Sequence, residues 1–170
     1  DLIEFGFESE FVGRLPVVVV FDELKKEDLL EILSNPNNPI IISKRMDFRA
    51  YDIDIKFEEP ALEKIAELAA KEKTGARGLV SAMEKVLIPF EKKLPSTNIK
   101  HFLVTEEVVE DPEGQLGQLL KDTENEKRMA RFDRAREKEL ENIKAFLSKR
   151  VHHFDRAFGL QISDRRVALI

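Results

Sequence analysis

Residues 74–95 read TGARGLVSAMEKVLIPFEKKLP. Ala76, Leu79, Val80, Met83, Leu87, Phe90 and Leu94 follow one another at steps of three and four, which predicts an amphipathic helix with Thr74 as its cap. Pro89 removes a backbone donor inside that pattern and should kink or end the helix near Ile88. Arg77 falls in the first turn, where a cation opposes the positive end of the helix dipole at a cost of about 0.3–1 kcal/mol. An anion held at the free amides of that turn would offset the cost, because amides, dipole and guanidinium all favour a phosphate oxygen there. The alternative is a surface arginine paired with a nearby glutamate.

Upstream of this helix, Leu62, Ile65 and Ala69 form the apolar stripe of another that starts at Pro60, with Glu63, Lys64 and Glu67 on its wet side. Ile53, Ile55 and Phe57 alternate with Asp54 and Lys56, the period of a half-buried strand. Asn38-Pro39 supplies a cap and a first-turn proline for a further helix. Leu29, Ile32 and Leu33 mark a helix within 24–33 that Asn35-Pro36 stops. Downstream, 99–104 suits a second strand, and Asp111-Pro112 with Gly114 should close the module.

Both ends differ from this middle. Leu2, Ile3, Phe5, Phe7 and Phe11 crowd residues 1–16 more densely than a free terminus normally allows, so the segment reads as the end of something longer. The β-branched run 17–21 predicts a strand or a buried extended connector. Beyond residue 114, Leu140, Ile143, Leu147, Val151, Phe154 and Phe158 predict an amphipathic helix that could begin at Thr123, followed by an extended apolar tail over 161–170. Its spacing drifts from a strict heptad, so it should pack on the body or form a short helix pair.

Composition narrows the chemistry. In 170 residues, 42% hydrophobic and 36% charged side chains allow one soluble domain with an attachment. The chain has no cysteine, which removes disulfides, thiolate zinc sites and cysteine nucleophiles. With no apolar run of membrane length and no signal-like start, a cytoplasmic chain without a membrane partner is expected. Residues 1–114 hold 15 basic against 24 acidic side chains, and the remainder 13 against 9. The basic excess of the tail is interleaved with acid, as on a solvated helix face, so no nucleic-acid partner is expected. No phosphate-cradling Gly-x-x-x-x-Gly-Lys-[Ser/Thr] occurs, and no Ser, His and Asp grouping stands out. His152 and His153, adjacent and thus about 100° apart on a helix, are poorly placed for one metal ion, and no metal site is expected.

Arg14 stands between the flexible Gly13 and the rigid Pro16. Such pinning suits a guanidinium presented at a fixed angle to a neighbouring molecule, as an arginine finger is, though on the residues alone a structural salt bridge is the better reading.

Three strings together, EFVGRLPVV at 10–18, ILSNPNN at 32–38 and TGARGL at 74–79, resemble the carboxy-terminal part of ClpX-type AAA+ unfoldases in order and spacing, over about residues 2–110. The resemblance implies an α+β fold: a mainly helical small (lid) domain with a short β-sheet, here followed by a helical extension. It places residues 1–22 at the end of the large ATPase domain and hinge, 23–112 in the small domain and 113–170 in the extension. It makes Arg14 the finger that reaches the nucleotide of the adjacent subunit. It makes Arg77, with Gly75 and Ala76 beside it, the sensor 2 element on the ATP phosphates of its own subunit. The implied cofactor is ATP, with magnesium held elsewhere in the parent protein. The implied partners are the other subunits of a hexameric ring, a ClpP-like protease and protein substrates. Val80, Lys25, Lys26 and Pro89 depart from the family pattern, and 115–170 has no counterpart in it.

The expected role is therefore nucleotide sensing that couples ATP hydrolysis to protein unfolding and translocation by the parent, the chain alone being inactive. A non-catalytic adaptor or oligomerisation module is the alternative. Without a large domain, Phe5, Phe7, Phe11 and 17–20 would lack cover, so the chain should self-associate or fold its tail helix over them.

Overall fold

A computed structural model describes residues 1–17, 19, 20, 22–122 and 125–158, the last seven through their backbone alone. In chain order the elements are α1 (Ser9–Gly13), α2 (Lys26–Ser34), α3 (Pro39–Arg49), β1 (Asp54–Phe57), α4 (Glu59–Glu72), α5 (Ala76–Lys93), a 3-10 turn (Leu94–Ser96), β2 (His101–Val104), α6 (Glu106–Glu110), α7 (Pro112–Lys121) and α8 (Glu126–Phe158). The molecule is thus mainly helical with one small sheet.

The turn between α2 and α3 is built around Asn38, a buried polar side chain. Its carboxamide oxygen accepts from the Ile40 and Ile41 amides at 2.7 and 3.2 Å, and its Nδ2 donates to the Ile32 carbonyl at 2.6 Å. One residue thereby caps the start of α3 and closes the end of α2, as the Asn-Pro pair predicts. β1 and β2 pair in parallel, with Ile55 opposite Phe102 and Phe57 opposite Val104. A parallel pair needs a long crossover, and α4 with α5 supplies it. The two helices close tightly because their shared face is small: Ala61, Ala66, Ala69 and Ala82 are all buried. Gly78 is the limiting contact, since a Cβ there would lie 2.8 Å from the Ala69 carbonyl oxygen. Leu79, Met83, Leu87 and Phe90 carry the core from α5 toward the sheet, where Phe90 stacks on Phe102 at 4.5 Å and Phe48 meets Phe102 at 5.7 Å.

Several expectations change on this frame. The cap of α5 is Gly75, not Thr74: Gly75 adopts φ 62°, and no side chain accepts from the first-turn amides. Pro89 does not end the helix, which continues to Lys93. The missing hydrogen bond would go to the carbonyl of Lys85, on the exposed side, while Val86, Leu87 and Phe90 stay anchored in the core. Val80 is 41% exposed, off the buried face on which the spacing placed it. The Asp111-Pro112 turn caps a helix rather than closing the packed body. The Asp111 carboxylate accepts from the Gly114 amide at 3.0 Å, and Leu116 and Leu119 of α7 join the core.

The ends change most. Val17, Val19 and Val20 form neither a strand nor a buried connector; they are 73%, 62% and 88% exposed, with no strand edge beside them among the described residues. Val18 and Phe21 of that run lie outside the described residues, as do Thr123, the candidate start of the tail helix, and the expected extended tail over 161–170. α8 begins at Glu126 and lies against the sheet and the β1–α4 connection, away from the amino-terminal phenylalanines, of which Phe5 is 85% exposed. Ion pairs line this face. Arg131 pairs with Glu58 and Glu107, Lys138 with Glu59, and Glu139 with both Arg45 and Lys56. Phe132, buried edge-on to His101 at 5.0 Å, is the apolar anchor of this face. Leu140, from the predicted stripe, is half-exposed. No helix among the described residues is long and apolar enough to cross a membrane.

Candidate functional site

The start of α5 is shaped by its connection to α4. Lys73 ends α4 in the left-handed region at φ 53°, and Gly75 follows at φ 62° with ψ −141°, a conformation open to glycine and strained for other residues. Two such residues within three turn the chain abruptly, so that Ala76 and Arg77 open an 18-residue helix whose first amides have no side-chain acceptor. The Gly78 amide is satisfied internally by the Gly75 carbonyl at 3.0 Å.

Arg77 projects from this turn exposed, and among the described residues no carboxylate pairs with it. The nearest acid in sequence, Glu72, is engaged elsewhere. It accepts from Lys85 Nζ at 2.5 Å and from the Ser81 hydroxyl at 3.2 Å, and the Lys85 hydrogen bond first, with Ser81 and the Lys85 charge assisting against desolvation, holds its carboxyl below the usual range. The glutamate-paired alternative for Arg77 is therefore not what the fold builds at this position. Exposed amides, the positive end of a long helix dipole and an uncommitted guanidinium converge here, a combination able to receive an anionic oxygen.

Leu24, on the segment leading into α2, approaches Gly75 so closely that its Cδ1 would sit 4.0 Å from a Cβ there. The helix mouth thus lies beside the stretch that joins residues 1–16 to the body. No sequence signal marked Leu24, because its neighbour is set by how α2 crosses α4.

Arg14 takes a different position. It caps the five-residue α1, and its Nη2 lies 3.1 Å from Glu10 Oε1, with both side chains about four-fifths exposed. A pair so wetted holds its arginine weakly. No residue of α1 is buried, and the described hydrogen bonds and ion pairs of residues 1–16 all stay within that segment. The structure brings Gly75, Ala76 and Arg77 together at one helix mouth and makes no contact between them and Arg14. His152 and His153 lie on α8, where side chains are outside the described residues.

The family described as "C-terminal, D2-small domain, of ClpB protein" matches residues 24–99. The ATP-dependent Clp protease ATP-binding subunits ClpX of Borrelia duttonii (strain Ly) and Borrelia recurrentis (strain A1) are each 44% identical to this chain over 110 residues, covering 64% of it and 26% of their own length. An ATP-dependent clpX-like mitochondrial chaperone of Saccharomyces cerevisiae is 34% identical over 110 residues, covering 65% of this chain and 21% of the relative. The chain spans about a quarter of the length of these relatives.

Proposed function

We infer the function from one premise: residues 24–99 form a C-terminal small domain of the kind carried by ClpX-type AAA+ ATPases. We propose that the chain is the nucleotide-sensing lid segment of such an ATPase and couples ATP hydrolysis to the unfolding and translocation of protein substrates. The observation that carries this reading is Arg77 in the first turn of a helix without a side-chain cap, with no carboxylate paired to it among the described residues while Glu72 is held by Lys85.

In this reading the Arg77 guanidinium donates to a phosphate oxygen of the ATP in its own subunit, and the Gly75 and Ala76 amides present the positive end of α5 to the same charge. ATP supplies the phosphoanhydride and the developing charge to which a fixed cation responds. Magnesium, in this reading, is held by other parts of the parent. In this reading Leu24, beside Gly75, passes a changed grip at Arg77 on to the hinge segment. Arg14, loosely tied to Glu10, is free to exchange that exposed carboxylate for the phosphate of an adjacent subunit in a hexameric ring. A ClpP-like protease is the downstream partner this reading implies.

The test uses the full-length parent. Arg77→Ala should abolish ATP-driven unfolding of a folded reporter with the fold intact by circular dichroism, and undiminished unfolding would reject the sensor role. Arg14→Ala, mixed with subunits that bind but do not hydrolyse ATP, should leave their neighbours unstimulated; unchanged turnover would remove the finger. The adaptor reading has one specific observation in its favour, the exposed ladder in which Phe5 stacks with Phe7 at 6.2 Å and Phe7 with Phe11 at 6.1 Å.

A further inference from the structure

Glu72 is the last residue of α4, and residues 73–75 alone separate it from α5. Its side chain therefore starts beside the α5 mouth, yet its carboxylate is spent farther along the helix. Both of its described hydrogen bonds end on one oxygen: Oε1 accepts from the Ser81 hydroxyl at 3.2 Å and from Lys85 Nζ at 2.5 Å. No described hydrogen bond ends on Oε2. Arg77, Ser81 and Lys85 stand four residues apart and so share one face of α5, with successive Cβ atoms about 5–6 Å apart. Ser81 is the middle rung, one turn from the arginine on one side and one turn from the lysine on the other. A carboxylate bonded to Ser81 can thus keep that hydroxyl and take either cation. In this structure it takes Lys85, and among the described residues no carboxylate pairs with Arg77.

We propose that Lys85 is a positioning residue for the nucleotide response: it holds the Glu72 carboxylate off Arg77 and so keeps that guanidinium available to an anionic oxygen. This rests on the sensor reading of Arg77. Glu72 is half-buried, so its charge needs a partner. Without the lysine, the carboxylate keeps its Ser81 bond and swings one turn toward the mouth, onto Arg77. The new pair is wetter than the old one, and it ties up the arginine until ATP displaces the carboxylate. An exposed arginine–carboxylate pair favours the captured form by about two- to fivefold. About a sixth to a third of the molecules then remain competent, and apparent ATP affinity falls about three- to sixfold. Because carboxylate and phosphate compete for one guanidinium, saturating ATP restores the full rate. The defect therefore lies in KM and not in kcat.

The experiment has two arms. In NMR of the 170-residue chain, the Arg77 Nε–H signal, identified by its loss in Arg77→Lys, should move in Lys85→Ala. It should return when Glu72→Gln is added. In the full-length parent, Lys85→Ala should raise KM for ATP about three- to sixfold at unchanged kcat. Lys85→Arg should keep the wild-type KM, and Lys85→Ala with Glu72→Gln should restore it. A lysine that merely tied α4 to α5 would show no such rescue, because Glu72→Gln takes away the other half of the same bond. An Arg77 signal unmoved in Lys85→Ala, an unchanged KM, or a raised KM that Glu72→Gln does not restore would overturn the proposal and leave the sensor reading standing. A moved signal in a parent whose unfolding activity is indifferent to Arg77→Ala would instead remove the sensor reading, and with it the nucleotide role of Lys85, while the exchange of Glu72 between two cations stands.

Discussion

Replacing Gly78 by alanine tests the geometry on which the helix mouth depends. A Cβ at this position would lie 2.8 Å from the Ala69 carbonyl oxygen and 3.0 Å from Thr74 Oγ1. The first of these is backbone of the helix against which α5 is closed, so relief requires the two helices to part. Overpacking of this kind costs about 1–3 kcal/mol, and an immovable backbone neighbour puts Gly78→Ala in the upper half of that range. Alanine returns about 1 kcal/mol through helix propensity, leaving a net loss of about 1–2 kcal/mol. For a chain of this size that lowers Tm by roughly 3–6 °C. Urea unfolding followed by circular dichroism reads the loss directly, with an unchanged slope as the sign that compactness is preserved. Thr74→Ala is the companion measurement: as a helix cap Thr74 would cost about 1 kcal/mol on removal, whereas the observed Gly75 cap predicts a smaller change. A Gly78→Ala protein more stable than the wild type would show that α4 and α5 do not approach as described, and the placement of Arg77 would fall with it.

Other outcomes follow from the same contacts. Asn38→Ala removes the cap of α3 and the bond to the Ile32 carbonyl together, and should cost about 2–3 kcal/mol in urea unfolding; a loss below about 0.5 kcal/mol would contradict a buried, bivalent cap. The Glu72 carboxyl should titrate below the usual carboxylate range in NMR and return toward it in Lys85→Ala. Because the folded state holds this group down, its small stabilisation is present above the ordinary carboxylate value and is lost as pH falls through the depressed one; a normal titration in the wild type would remove the Glu72–Lys85 bond. Light scattering should find the 170-residue chain self-associated, and Phe5→Ser with Phe7→Ser should return it to a monomer; a monomeric wild type would mean that these rings need no cover.

Local signals carried far along this chain. The Asn38-Pro39 start, the period of two at Ile53, Ile55 and Phe57, and the core face through Leu79, Met83, Leu87 and Phe90 depend on neighbours within one or two turns, so the sequence alone places them. Two of the three strings that resemble ClpX-type proteins, at 32–38 and 74–79, lie within the matched residues 24–99, and Arg77 could be singled out because a cation in a first turn is anomalous by itself.

What escaped the sequence depends on distant neighbours. Thr74 is an ordinary cap candidate, but the left-handed Lys73 and the closeness of α4 put Gly75 in that place. Pro89 is an ordinary helix breaker, but both turns around it bury into one core. The run 17–20 has the composition of a strand, yet pairing needs an edge that lies nowhere beside its described residues. Phe132, rather than Leu140 of the predicted stripe, is the buried anchor of α8, and Arg131, Lys138 and Glu139 beside it meet opposite charges on the body. Sequence determined α2 to α5, the two strands of the sheet and which arginines are out of place. Tertiary structure alone decided which carboxylates are occupied, leaving Arg77 free, because charge pairing is fixed by distances across elements that no local period encodes.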